Sequence, residues 1–269
     1  EGRYEEAYDD YAKASGVDAQ HAGLAWRRAT ASLALGRSDQ AAFLFSRARD
    51  LDTQRFRADS RINQIIRETA KRMKVALVDV AQQFVAPPDS DLFLDHVHFT
   101  FEGTWRLATL LRAAMASAPP DLPVPDLEEC RHRLFFTPWS ERQQALIMCD
   151  RRRQPPFLNQ PGNDQKVKSL IEFSRTLTAA INATDLQQVH SAFQANVARD
   201  PEDLFYPLLW GAVLMDAGHL EESLLVFSQG LARLPHHFEA RKLPAFVAAR
   251  LGRPEDGARI LIGTGPPFG

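Results

Sequence analysis

The sequence predicts a mixed fold: α-helical repeats on both sides of the last strand–helix unit of a doubly wound α/β domain. Three observations carry that expectation. A pattern of small and large residues recurs at a spacing of 34 toward both ends of the chain. Between these regions lies an apolar run, Val75-Ala76-Leu77-Val78-Asp79-Val80, as a strand buried on both faces of a parallel sheet requires. Shortly after it, Leu92–Gly103 gathers Asp95, His96 and His98 directly ahead of an amphipathic helix. The expected divisions are residues 1–52 (helical repeats), 53–117 (α/β segment), 118–165 (proline-rich linker and a helical segment) and 166–269 (helical repeats).

The repeats are read first. Gly2-Arg3-Tyr4-Glu5-Glu6-Ala7 returns as Gly36-Arg37-Ser38-Asp39-Gln40-Ala41, and at the same offset Tyr11 matches Phe45 and Ala14 matches Ala48. Small, large and small residues at i, i+4 and i+7 share one helical face, where the alanines let a neighbouring helix approach. Ala22–Leu35 supplies the helix between the two copies, and Gly36 is the turn. Toward the other end Pro201 and Pro235, Gly218 and Gly252, and Phe193 and Phe227 keep the same offset, while Ser223 stands where an alanine would fit. This period and pattern resemble the tetratricopeptide repeat, a helix–turn–helix unit stacked into a solenoid. The resemblance implies a protein or peptide partner held by the helical arrays.

After Asp52 the pattern changes. Asp59–Met73 reads as an amphipathic helix with Ile62, Ile65, Ile66, Ala70 and Met73 on one face, and the apolar run follows it. A loop with Pro87-Pro88-Asp89-Ser90 leads to Asp95 and His98. Thr100 is suited to cap the next helix, whose apolar face is Leu107, Leu110, Leu111 and Ala114. The stretch Ala118–Asp126 is too proline-rich for a helix. Thr137 and Pro138 then suit the N-cap and first position of another helix, which stops before Pro155-Pro156.

Composition narrows the function. The 269 residues are 45% hydrophobic and 25% charged, enough to bury a core, and the formal net charge of -2 argues against a nucleic-acid partner. The longest apolar stretch, Leu204–Met215, is too short to span a bilayer. Cys130 and Cys149 lack Cys-x-x-Cys spacing and read as free or buried thiols. Arg151-Arg152-Arg153 and His236-His237 read as solvated helix ends.

A carboxylate three residues before a histidine can reach back to the imidazole and set its tautomer, as a serine-activating base requires. Asp95 can instead cap a turn. His96 reads as a loop side chain or pocket wall, and His96-x-His98 with Asp95 can also be read as part of a metal site. No further cluster completes a ligand set, and neither a metal nor a cofactor is expected.

The Asp95-x-x-His98 loop, Gly103 five residues after the histidine and the helix that follows resemble the last block of the SGNH (GDSL-type) hydrolases. That family has a flavodoxin-like α/β fold and cleaves esters or acyl groups. The resemblance implies that His98 is the general base, that Asp95 orients it, and that the substrate is an ester or acylated compound. The family's nucleophilic serine, and the glycine and asparagine that donate to its oxyanion, have no match here. Neither Ser60 nor Ser90 has the required context. The nucleophile is therefore expected upstream of Glu1, with Gly2–Asp52 as an insertion in the hydrolase domain. The alternative is a helical-repeat scaffold whose α/β segment is catalytically inert.

Overall fold

A computed structural model describes residues 2–54, 57–84, 92–95, 97–115, 123–160 and 162–263. The loop prolines 87–88, Ser90, His96, residues 118–122 and the last six residues lie outside the described set. Chain packing divides the protein into two units, Glu1–Val124 and Pro125–Gly269.

In the first unit α1 (Tyr4–Val17), α2 (Ala22–Ala34) and α3 (Ser38–Leu51) form a layer in which α2 packs on both neighbours. Ala25 and Ala29 of α2 and Ala41, Leu44 and Ala48 of α3 are buried, while Phe45 is half-buried. α4 (Ser60–Met73) follows, then the short α5 (Val80–Gln83) and α6 (Phe101–Ala114). Asp59 starts α4 by accepting the Ile62 N–H at 2.7 Å. Thr100 starts α6 by accepting the Gly103 N–H at 3.1 Å.

The expected strand is not present. Among the described residues the protein is helical, with no strand and no sheet, so it holds no strand–helix unit of an α/β domain. Lys74 ends α4 in the left-handed conformation, and the chain runs from Val75 to Asp79 without regular structure before turning into α5. Val75 is 60% exposed and Leu77 42%. The physical reason is that a β run is stable only when its backbone groups find a ladder on a neighbouring strand. Here the Val75 N–H goes back to the Ala70 carbonyl at 3.1 Å. Asp79 is drawn off by Arg67 (Nε to Oδ2, 2.5 Å) and caps α5 through the Gln82 N–H at 3.2 Å. With no sheet to lie on, the apolar face of α4 is exposed at Ile62, Ile65, Ile66 and Met73.

The second unit contains α7 (Leu127–Arg133), α8 (Pro138–Arg152), α9 (Asn163–Asn182), α10 (Leu186–Arg199), α11 (Tyr206–Asp216), α12 (Leu220–Arg233), α13 (Phe238–Arg250) and α14 (Pro254–Ile262). Its core has two clusters. Phe135, Trp139, Ile181, Val189, Tyr206 and Trp210 join α8 to α11, while Leu224, Phe227, Leu231, Val247 and Ile260 join α12 to α14. The last carbonyls of α7 are taken by side chains from later helices: Asn196 donates to His132 O at 2.8 Å and Tyr206 to Arg133 O at 2.7 Å. Arg152, expected in solvent, is instead buried against Asn163, whose amide donates to the Arg152 carbonyl at 2.8 Å. His237 is the N-cap of α13, its Nδ1 accepting the Ala240 N–H at 3.1 Å.

Helix pairs in both units, one in the first and two in the second, are joined by the same turn. In Leu35-Gly36-Arg37, Ala217-Gly218-His219 and Leu251-Gly252-Arg253 the glycine has φ of +74°, +86° and +78°. The residue after it donates to the carbonyl five back: Arg37 to Ser32, His219 to Leu214 and Arg253 to Ala248, all at 2.9 Å. This is a Schellman ending, for which glycine supplies the left-handed residue without a Cβ penalty. It reverses the chain and lays each helix against the one before.

Close approach then needs small residues. A Cβ on Gly211 would sit 2.8 Å from the Phe227 ring, which is fully buried, and Ser223 donates to the Gly211 carbonyl at 2.7 Å. Phe227→Ala is expected to cost about 3–5 kcal/mol in urea unfolding, by loss of burial and opening of a cavity. Leu225→Ala on the exposed side of α12 is expected to change stability by no more than about 0.5 kcal/mol.

Candidate active site

The loop carrying the candidate pair is a tight reversal closed at its base. The Leu94 N–H donates to His98 O at 2.8 Å and the Thr100 N–H to Leu92 O at 3.0 Å, around an antiparallel bridge between Phe93 and Phe99. The Phe99 ring lies 4.7 Å from Phe93 and 5.4 Å from Phe84, which holds the loop to the end of α5. Gly103, in the first turn of α6, is required here. A Cβ at that position would come within 2.3 Å of the Leu92 carbonyl oxygen, a backbone atom that cannot swing aside.

Asp95 sits at the centre of the reversal. Its Oδ1 accepts the backbone N–H groups of Val97 and His98, both at 2.8 Å. Its Oδ2 lies 2.7 Å from His98 Nδ1. The Asp95 side chain is 1% exposed and that of His98 56%, so a buried carboxylate holds an imidazole that reaches solvent. Burial pushes the Asp95 carboxyl up, but the two backbone donors and the His98 ring outweigh it and hold the group well below the ordinary aspartate range. The carboxylate is ionised throughout the neutral range. Because it can only accept, Nδ1 carries the proton and Nε2 is the basic nitrogen.

The two residues singled out by spacing are thus brought together. His96 and Ser90 lie outside the described set. Ser60 is engaged elsewhere: its hydroxyl accepts from Arg49 at 2.6 Å and its N–H donates to Asp50 at 3.0 Å, at the start of α4. Among the described residues no three His, Cys, Asp or Glu side chains converge as a metal ion would need. Cys130 and Cys149 are free thiols, and burial pushes Cys130 up. No described helix is long and apolar enough to cross a membrane.

Beside the loop is a cavity of about 210 Å³ lined by Phe84, Leu92, Trp105, Thr109 and Leu110. These residues come from α5, the loop base and α6, and sequence spacing carries no signal for that grouping. No protein-family model, curated protein or solved structure matches the chain.

The geometry makes the loop depend on Gly103 and on an ionised Asp95. Gly103→Ala is expected to open the Thr100–Leu92 bond, read as lost hydrogen-exchange protection of the Thr100 amide, while the other helices keep theirs. A carboxylate whose folded pKa is depressed stabilises the fold above its unfolded pKa, about 3.9 for Asp. That contribution is lost only as pH falls through the lower folded value. The Asp95 carboxyl-carbon resonance should therefore show no protonation step at about pH 4 and one only in stronger acid. A midpoint in the ordinary aspartate range would contradict the assigned bonds.

Proposed function

We propose that Asp95 and His98 are the orienting carboxylate and the general base of a hydrolase that cleaves an ester or acyl group through a serine nucleophile. The serine is supplied from outside the described residues. The observation that carries this reading is the buried Asp95 carboxylate on Nδ1 of an imidazole that is half in solvent. The likeness of Asp95-x-x-His98 and Gly103 to the SGNH hydrolase block supports it.

In this reading Nε2 takes the serine proton as the hydroxyl oxygen bonds to the substrate carbonyl carbon. The ring then carries both protons, and Asp95 stabilises that charge across the 2.7 Å contact. Nε2 returns its proton to the leaving group as the carbon–oxygen bond breaks. Water, activated by the same nitrogen, then releases the acyl group from the serine. The helix pairs with their shared 34-residue register hold a protein or peptide partner.

A second reading has its own observation. The surroundings of the loop are helical, and the same three hydrogen bonds would brace a purely structural turn. The protein would then be a helical scaffold, and Asp95–His98 no more than a clasp.

One experiment separates the two. In the whole gene product, assayed with an aryl acetate, His98→Ala is expected to lower kcat/KM by about a thousandfold or more. Asp95→Asn is expected to cost less. The amide oxygen of the substituted side chain can still accept the two backbone N–H groups, while its NH₂ faces Nδ1 and favours the unproductive tautomer. His96→Ala and a chelator should change little. Full activity in His98→Ala, or loss of activity to the chelator, would overturn the serine-hydrolase reading.

A further inference from the structure

Away from this loop, α1, α2 and α3 enclose a cavity of about 320 Å³. Its lining explains why it stays open. Small residues of α1 and α2, among them Ala12, Gly16 and Ala25, do not fill the space between α1 and α3. The cavity is also charged in one sense. Arg28 and Arg47 line it, no Asp or Glu does, and His21 at its edge uses Nδ1 to accept the Leu24 N–H.

Among the described residues neither guanidinium has a carboxylate partner, and that of Arg28 lies over the Tyr8 ring, 4.8 Å from its centre. Among the described residues Arg28, which is half-buried, donates only to the Tyr8 hydroxyl, at 2.8 Å. Arg47, which is exposed, donates only to the Ala19 carbonyl, at 3.0 Å. The Nε of Arg28 is cut off from solvent with no acceptor. Other arginines of the same layer are paired: Arg37 holds Glu5 with contacts of 2.8 and 2.9 Å, and Arg49 holds Asp50. The Tyr8 hydroxyl accepts from both Arg28 and Gln40 (2.7 Å) and donates to nothing among the described residues. The result is a group of donors with an excess of positive charge, partly withdrawn from water at Arg28. A cation removed from water without a counter-charge is costly, and an anion that enters removes that cost.

We infer that this cavity binds a carboxylate ligand, either an acidic side chain of a partner peptide or a small free organic acid. Arg28, Arg47 and the Tyr8 O–H supply the donors for the carboxylate. Leu44 and the exposed Phe43 ring at the cavity wall take the apolar stem. The volume suits a ligand of a few carbons with its head group, not a long chain. Carboxylate is favoured because a planar guanidinium matches its two oxygens, and because the apolar wall has use for a carbon stem.

The test uses residues 1–269 and four probes: acetyl-Gly-Glu-Gly-amide, its glutamine counterpart, succinate and inorganic phosphate. Binding is followed by calorimetry and by the arginine Nε–H resonances. The glutamate peptide or succinate should give saturable binding that shifts the Arg28 Nε–H, and the tighter of the two identifies the source of the carboxylate. The glutamine peptide should give none. Arg28→Gln and Arg47→Gln should each weaken binding about tenfold or more, as loss of a charge-assisted contact does. Arg47→Gln serves alone if the loss of the Arg28–Tyr8 contact unfolds α1. His98→Ala should bind unchanged. Equal response to the glutamate and glutamine peptides, binding of phosphate alone, or full binding by Arg47→Gln would overturn the assignment.

Discussion

The helix pairs α2–α3, α11–α12 and α13–α14 depend on how closely two backbones can approach. Helices joined by Schellman turns at Gly36, Gly218 and Gly252 fold back on their predecessors, and the contact then has to be filled without holding them apart. The second unit solves this with glycine against bulk. The Phe227 ring occupies the space that a Gly211 side chain would need, and Gly257 lies against the Ala245 carbonyl, 2.7 Å from where its Cβ would be. Ser223 is tolerated at zero exposure because its hydroxyl finds the Gly211 carbonyl across the same contact. The first unit uses alanines instead, Ala25 and Ala29 of α2 with Ala41 and Ala48 of α3, all buried. Alanines close the layer but bring little area to bury, and Ala25 is among the small residues that line the cavity between α1 and α3.

The same constraint governs the candidate site. Gly103 lets the Leu92 carbonyl reach the start of α6, and that carbonyl accepts the Thr100 N–H that closes the loop. Closure positions the Val97 and His98 amides on one oxygen of Asp95 and leaves the other for the His98 ring. Burying a carboxylate is unfavourable by itself. Here three donors offset the lost hydration, so the charge persists and the ring is held in one tautomer. A brace and a base-orienting contact require the same bonds. The buried partner is the carboxylate and the accessible one the imidazole, the order that the proposed base requires.

The helices are legible in the sequence because their signals are local. The turn glycines, the Thr100 cap and the Asp-x-x-His spacing each act over five residues or fewer, and each is found where the pattern puts it. Val75–Val80 misleads because β structure is a non-local property. An apolar run states that burial is favourable without naming a partner, and among the described residues no strand pairs with it. Arg152 departs from expectation for a similar reason, since its burial depends on Asn163, eleven residues on. At Asp95 the two readings of the sequence, a turn cap and a histidine partner, stand as alternatives. The carboxylate has two oxygens and serves both, one for each.

The first unit leaves two demands open, and they differ in kind. The face of α4 with Val75 and Leu77 exposes apolar area, which gains from burial against almost any apolar surface. The cavity of α1–α3 holds two guanidiniums without carboxylates, and these gain only from an anion that fits between them. Burial of the first kind scales with area and discriminates poorly among partners. Neutralising a half-buried charge such as that of Arg28 penalises every ligand that lacks the matching group, because the donors then stay unpaired. In the proposed carboxylate site, choice between ligands would rest with Arg28 and Arg47.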